Sequence, residues 1–336
     1  MSERTVTGQV VTIGVDVGGT SISAGLVRRD GEVLATVETP THVSGRGSAL
    51  KTLLAVIHEV HSRARAHGLS VDGIGVGLPG PVDVDKGMIS MFVPQSHVPE
   101  FYGVPIAEQI QARTDLPTFV DNDVNALALG ERAFGLGRGA ASLAVVAIGT
   151  EVGGAFMAGD VLVRGAHGFG GEFGHMPVKF DGPRCMCGSR GCLCTYLGGR
   201  FLASEARRRV LEGAPSMLIE QAAGDVDAIT SSMVFAAAAS GDPLAAALVD
   251  DACQALAATL ATLVNGLDPE LIVITGGVAA SLLPLRDDIV RRVAEYAFAH
   301  PLGATRIQIT RSDKRDTVRG GAALFAYERA RRAGSR

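Results

Sequence analysis

Apolar runs of strand length alternate with stretches of helical spacing along this chain. Val10–Asp16 (VVTIGVD) has the pattern of a buried strand. Gly18, Gly19 and Thr20 make a tight turn, Ile22–Val27 reads as a second strand, and Val33–Glu38 completes a meander. Leu50, Leu53, Leu54, Ile57 and Val60 recur at helical spacing and predict a helix over Ala49–His67. Gly73–Leu78 is again a strand and ends in Pro79-Gly80-Pro81. A related layout then returns: the strand Ser142–Ile148, the turn Gly149-Thr150 and the return strand Val152–Met157. Helical patterns fill 199–211 and 243–266. Leu271–Thr275 is a last buried strand before Gly276-Gly277, and helices at 285–298 and 319–332 close the chain. Two strand–Gly-Thr–strand units point to a duplicated α/β architecture, with two domains facing each other across a cleft.

Composition narrows the function classes. A length of 336 residues suggests two domains, and 47% hydrophobic residues supply ample core. The formal net charge of -4 gives no basic excess for a nucleic-acid surface. The polar start MSERTVTGQV lacks the charged-then-apolar plan of a signal peptide. The apolar 252–264 stretch is interrupted by Gln254 and Thr259 and reads as a buried helix, so no membrane partner is expected. Of five cysteines, four fall between Cys185 and Cys194. A dense cluster in a large chain points to a metal in a reducing compartment, the cytoplasm, and away from a disulfide framework.

Three segments carry candidate chemistry. The first is the pair of glycine turns, Gly18-Gly19-Thr20 and Gly149-Thr150. Glycine lets a backbone come close to phosphate oxygens and point N–H groups at them. Asp16, just before the first turn, is placed to hold the hydration shell of Mg²⁺. The competing reading is a pair of ordinary hairpin turns. The second segment is VDNDVNALALGE, Val120–Glu131, where a strand ends and a helix starts near Asp123. Asp121, Asn122, Asp123 and Asn125 crowd that junction. Helix capping needs one such residue, and a carboxylate beside an amide suits a general base next to a polar substrate. The third is Gly170–Cys194, GGEFGHMPVKFDGPRCMCGSRGCLC. Its Cys and His donors suit a closed, structural, tetrahedral Zn²⁺ site. Two ligand sets compete: His175 with Cys185, Cys187 and Cys192, or all four cysteines. Glu172 lies three residues before His175.

On these motifs the chain resembles the ROK family (repressors, open reading frames, sugar kinases), particularly its bacterial glucokinase branch, from about Val11 to Tyr327. DVGGTS is similar to the family's first phosphate motif, NDVNALALGE to the segment holding its catalytic aspartate, GEFGH with CMCGSRGC to its signature and zinc loop, and DPELIVITGG to its adenosine-side motif, with Gly276 and Gly277. The resemblance implies an actin-like, hexokinase-like (ribonuclease H-like) fold with ATP, Mg²⁺ and sugar in an interdomain cleft. It implies a small domain over 1–122, a larger one over 123–318 with the zinc loop 175–194, and a last helix at about 319–336 packing back on the small domain. Asp123 is then the base for the substrate hydroxyl. Asn122, Glu172 and His175 bind the ring, Gly80 lines the pocket, and His175, Cys185, Cys187 and Cys192 hold structural zinc. A homodimer or homotetramer is also implied. The family's repressors carry a helix-turn-helix before the first strand; with that strand near Val10, a kinase is expected here.

Three positions depart from the family pattern. Cys194 stands where the signature has a ring-binding Glu, or sometimes Thr; Glu151 stands where the second phosphate motif has Gly; and Ser21 stands where a Lys usually follows the first. A carboxylate at Glu151 repels a triphosphate unless Mg²⁺ or a basic group intervenes. The expected activity is ATP-dependent phosphorylation of a primary hydroxyl on a hexose. A retuned pocket for an amino sugar or a cyclitol is the alternative, with Cys194 facing the ring. A non-catalytic sugar sensor is the alternative outside the enzymes.

Overall fold

Two five-stranded sheets of one topology carry the chain. In the computed structural model, which describes residues 10–90, 98–311 and 313–334, the N-terminal half supplies β1 (Val10–Val17), β2 (Ser21–Arg28), β3 (Val33–Pro40), β4 (Ser70–Leu78), the short hairpin β5 (Val82–Asp83) and β6 (Met88–Ile89), and β7 (Thr118–Asn122). The first sheet has the order β3-β2-β1-β4-β7. Its meander is antiparallel, and β4 and β7 add in parallel beside β1. The second sheet consists of β8 (Ser142–Ile148), β9 (Val152–Ala158), β10 (Val161–Leu162), β11 (Leu271–Thr275) and β12 (Arg306–Ile309). Its order is β10-β9-β8-β11-β12, again with an antiparallel meander followed by two parallel strands. Parallel strands covered on both faces need continuous apolar runs. Accordingly, every residue of β11 (LIVIT) and the last six of β4 are buried.

Helices cover these sheets: α1 (Ala49–Ala66), α2 (Ile106–Thr114) and α3 (Asp123–Phe134) early; α4 (Cys194–Leu197), α5 (Gly199–Leu211), α6 (Leu218–Gln221), α7 (Ser231–Ala239), α8 (Pro243–Leu267), α9 (Ala279–Leu282), α10 (Arg286–Val293) and α11 (Ala299–Ala304) later; and α12 (Lys314–Gly334) last. The chain divides into two units. One comprises Met1–Gly139, Leu162–Gly170 and Asp313–Arg336, the other Ala140–Val161 and Gly171–Ser312. A boundary at 122/123 would separate β7 from α3, yet α3 packs on β4, β7 and α12, so the first unit runs on to Gly139. In that unit α12 lies against β1 and β4. The approach is close enough that a Cβ on Gly75 would sit 1.9 Å from the carbonyl oxygen of Gly321, so a side chain there would push the helix off the sheet.

In the second unit α8 is the central core helix. By length and hydropathy it would pass for a membrane span, but 67% of its most apolar window is buried inside the protein. Leu256, Leu260 and Val264 on its inner face are fully covered. The helix expected over 285–298 is shorter: α10 stops at Val293, and α11 follows a turn. The last helix begins at Lys314 and not at 319.

Candidate functional site

The first unit gathers Asp16, the turn Gly18–Thr20, Gly80, Asn122 and Asp123. The turn is built from the inside. Gly18 N–H donates to Ser21 O at 2.9 Å, while Thr41 donates its amide to Thr20 O at 3.0 Å and its hydroxyl to Gly18 O at 2.7 Å. The carbonyls of Gly18 and Thr20 are thus satisfied by the protein. Among the described residues, the amides of Gly19 and Thr20 donate to no backbone or side-chain group. Unpaired donors at a glycine turn are what a phosphate oxygen requires. Burial pushes the Asp16 carboxyl above its ordinary value, and the charge of Lys314 and the Thr317 hydroxyl pull it down.

At the β7–α3 junction the crowd of polar residues resolves into separate tasks. Asn122 is the N-cap: its Oδ1 accepts from the amides of Val124 (2.9 Å) and Asn125 (3.2 Å), and its Nδ2 donates to Gly80 O at 3.2 Å. One amide hydrogen of Asn122 is left for a ligand. Asp121 is buried, accepting from Arg164 Nη2 (2.6 Å), Arg164 Nε (2.8 Å) and Asn125 Nδ2 (3.0 Å). Arg164 also donates to the buried Glu328 at 2.7 Å. Asp123 is half-buried in the first turn of α3, where the positive end of the helix favours a negative charge, and its Oδ1 accepts from Val124 N–H at 2.9 Å. Of the four clustered residues, Asp121 and Asn125 are tied into buried hydrogen bonds, Asn122 caps the helix, and Asp123 is half-buried.

The second unit repeats the turn. Gly149 N–H donates to Glu151 O at 2.9 Å. The carbonyls of Gly149 and Thr150 accept from the amides of Gly199 (2.9 Å) and Arg200 (3.0 Å) at the start of α5. Again two amides, those of Thr150 and Glu151, have no partner among the described residues. The basic group that a carboxylate at this turn needs is present: Arg200 Nη2 donates to Glu151 Oε1 at 2.5 Å. The same nitrogen lies 2.9 Å from Met186 Sδ, so one side chain joins the turn to the cysteine-rich loop. Gly276 and Gly277 follow β11, and Val278 N–H donates to Ile148 O at 2.9 Å, which puts them at the end of β8 beside Gly149. Burial pushes the Glu172 carboxyl up; His175 lowers it and the Glu151 charge raises it.

The cysteine-rich loop brings His175, Cys185, Cys187 and Cys192 together, their ligand atoms all within 4.8 Å of one another. Cys187 and Cys192 sulfurs are 3.7 Å apart, and His175 Nδ1 is 3.5 Å from Cys185 Sγ. Four donors at about 2.0–2.3 Å from a tetrahedral ion have edges of about 3.5–3.8 Å, so the donor set fits zinc. The loop is cross-laced by Cys185 N–H to Ser189 O (2.9 Å), Gly191 N–H to Pro183 O (2.8 Å) and Leu193 N–H to Met176 O (3.0 Å). Gly191 has φ +63, and a Cβ there would fall 1.7 Å from Lys179 O. The Cys194 thiol lies apart from that set yet close to it, 3.4 Å from Cys185 Sγ and 3.8 Å from His175 Nδ1. At 1% exposure it is buried against the cluster.

Each unit thus carries a glycine turn with outward amides and a carboxylate near polar groups, on a duplicated sheet. This is the actin-like, hexokinase-like fold of the sugar kinases. A ROK hexokinase from Thermus thermophilus superposes with a TM-score of 0.78 at 29% identity, covering 96% of this chain and 99% of the other. A ROK family glucokinase from Streptomyces griseus, in complex with glucose and AMPPNP, gives a TM-score of 0.75 at 31% identity, covering 94% and 98%. A glucokinase of Thermotoga maritima is 35% identical over 83% of this chain and 86% of its own length. The sequence matches the ROK family over residues 12–328, and the chain belongs to that family.

Proposed function

We propose that this protein is an ATP-dependent carbohydrate kinase that phosphorylates a hydroxyl of a hexose, with glucose the first candidate. The kinship to glucokinases along most of the chain supports this reading, as does the likeness to a structure holding glucose and AMPPNP. The observation that carries it is the pair of turns, each with two carbonyls bound by protein and two amides that, among the described residues, have no acceptor.

In this reading Gly18–Thr20 and Gly149–Glu151 hold phosphate oxygens, with Gly276 and Gly277 on the adenosine side. Asp16 would hold the water shell of Mg²⁺. Phosphoryl transfer depends mainly on positioning and charge stabilisation. A primary hydroxyl of the sugar attacks the γ-phosphorus, its proton passes to the Asp123 carboxylate, and the bond to ADP breaks. Glu172, His175 and the remaining amide hydrogen of Asn122 bind ring hydroxyls, with Gly80 lining the pocket. The ring of His175 serves twice, because Nδ1 faces the sulfurs and leaves Nε2 for substrate. Zinc on His175, Cys185, Cys187 and Cys192 would shape this loop as a structural ion. We place the protein in the cytoplasm, where ATP is found and thiols stay reduced, as a homodimer or homotetramer.

The testing experiment is ADP production by the purified protein with MgATP against hexoses, N-acetylhexosamines and cyclitols, with the product weighed by mass spectrometry. A hexose gaining one phosphoryl group supports the reading. A preference for a cyclitol would move the substrate class, and no turnover on any ring would favour a sensor.

A further inference from the structure

The first glycine turn has a charged neighbour from the far end of the chain. Lys314, the first residue of α12, brings its Nζ to 3.0 Å from Ser21 Oγ, just after Gly18–Thr20. The same nitrogen is 3.3 Å from Glu38 Oε1, and Ser21 donates its hydroxyl to that Oε1 at 2.7 Å. Lys314 and Thr317, one helical turn apart, both act on the Asp16 carboxyl. Two carboxylates, one ammonium and two unpaired amides therefore surround a single turn whose own sequence, from Gly18 to Ser21, contains no cation.

We propose that Lys314 is a phosphate ligand of the nucleotide, which leaves Glu38 for a phosphoryl oxygen when the magnesium nucleotide binds at Gly18–Thr20. The proposal rests on the nucleotide reading of that turn and deepens it by naming the residue that supplies the positive charge. Three observations carry it. The ammonium is already beside Ser21, the residue that follows the turn. Its side chain is 49% exposed and that of Glu38 50% exposed; a solvated Lys–Glu pair of this kind adds little stability, so exchanging partners costs little. The amides of Gly19 and Thr20 have no acceptor among the described residues, and an anion there satisfies the amides and the ammonium together. A structural ion pair alone would leave the two amides unexplained.

The experiment is equilibrium binding of MgADP, Mg-AMPPNP and adenosine to the full chain and to the variants Lys314→Gln, Lys314→Arg and Lys314→Gln with Ser21→Lys. Thermal melting of each serves as the folding control. The expected result is that Lys314→Gln weakens both magnesium nucleotides by about tenfold or more, the size of a charge-assisted hydrogen bond, while adenosine is unchanged. Lys314→Arg should retain most of the affinity, and Ser21→Lys should restore it in the Lys314→Gln background by returning an ammonium to the same place. Nucleotide binding within about twofold of wild type in Lys314→Gln, or an equal loss for adenosine, overturns the proposal and leaves Lys314 an ion-pair partner. If the unmodified protein binds no nucleotide at all, it is the nucleotide reading of the turn that fails.

Discussion

Asp123 is the residue on which turnover depends in this account. Its neighbours are committed elsewhere: Asn122 to the cap of α3 and Asp121 to Arg164. Asp123→Asn keeps an oxygen for the Val124 amide and so keeps the start of α3. Sugar affinity is expected to stay near wild type while kcat falls by about 10²-fold or more, the usual contribution of a positioned base. Steady-state kinetics and sugar binding on the same preparation check both halves. If Asp16 holds Mg²⁺ water as proposed, it shapes the acid side of nucleotide binding. Its carboxyl is raised by burial and would have to be ionised in that role, so nucleotide affinity should fall, as pH drops, sooner than for an exposed aspartate. The groups facing it are Lys314 and Thr317 from α12 and Glu38 from β3. Removing the Lys314 charge takes away a lowering influence, so in Lys314→Gln the fall should begin at a higher pH still; nucleotide titrations across the acid range measure it.

Among the elements, those with continuous or strictly periodic apolar patterns were legible in the sequence: β1, β4, β8, β11, α1 and α8. Those it did not show have weak patterns. β12 is a four-residue edge strand alternating exposed and buried, and α7 is so rich in alanine that it has little contrast between faces. At the site, the glycine turns, Asp123, Glu172 and the metal donors stand out locally. Arg200, Lys314 and Arg164 do not, because their partners lie 49, 293 and 43 residues away. Spacing cannot say which way the Cys194 thiol points; it packs against Cys185. That geometry gives a prediction for the loop. Cys187→Ser should lose the metal and loosen residues 175–194, since binding and local folding are coupled. Cys194→Ser should retain one Zn²⁺ per chain. Metal content by mass spectrometry together with chelator-induced changes in hydrogen exchange over the loop will read this, and loss of zinc in Cys194→Ser would place that sulfur among the ligands.

At the scale of the whole molecule, one sheet topology is used twice, and in each copy a glycine turn closed by its own backbone joins the first two strands. Gly18 N–H closes on Ser21 O in one and Gly149 N–H closes on Glu151 O in the other. Each turn also has a cation recruited from elsewhere in its own unit, Lys314 for the first and Arg200 for the second, with Glu38 and Glu151 as their carboxylate partners. A Gly149–Glu151 turn without Arg200 would present an uncompensated negative charge to a triphosphate; with it, the pair is neutral. The central claim is that this chemistry moves a phosphoryl group from ATP to a sugar. Its most direct test is a discharge assay with ATP labelled in the γ-phosphoryl group, incubated with purified wild-type protein, Mg²⁺ and glucose or another hexose, with Asp123→Asn alongside. The account predicts label in a hexose monophosphate, formed in step with ADP by the wild type and about 10²-fold more slowly by Asp123→Asn. Label remaining in ATP, or released only as inorganic phosphate with every hexose tried, would contradict it.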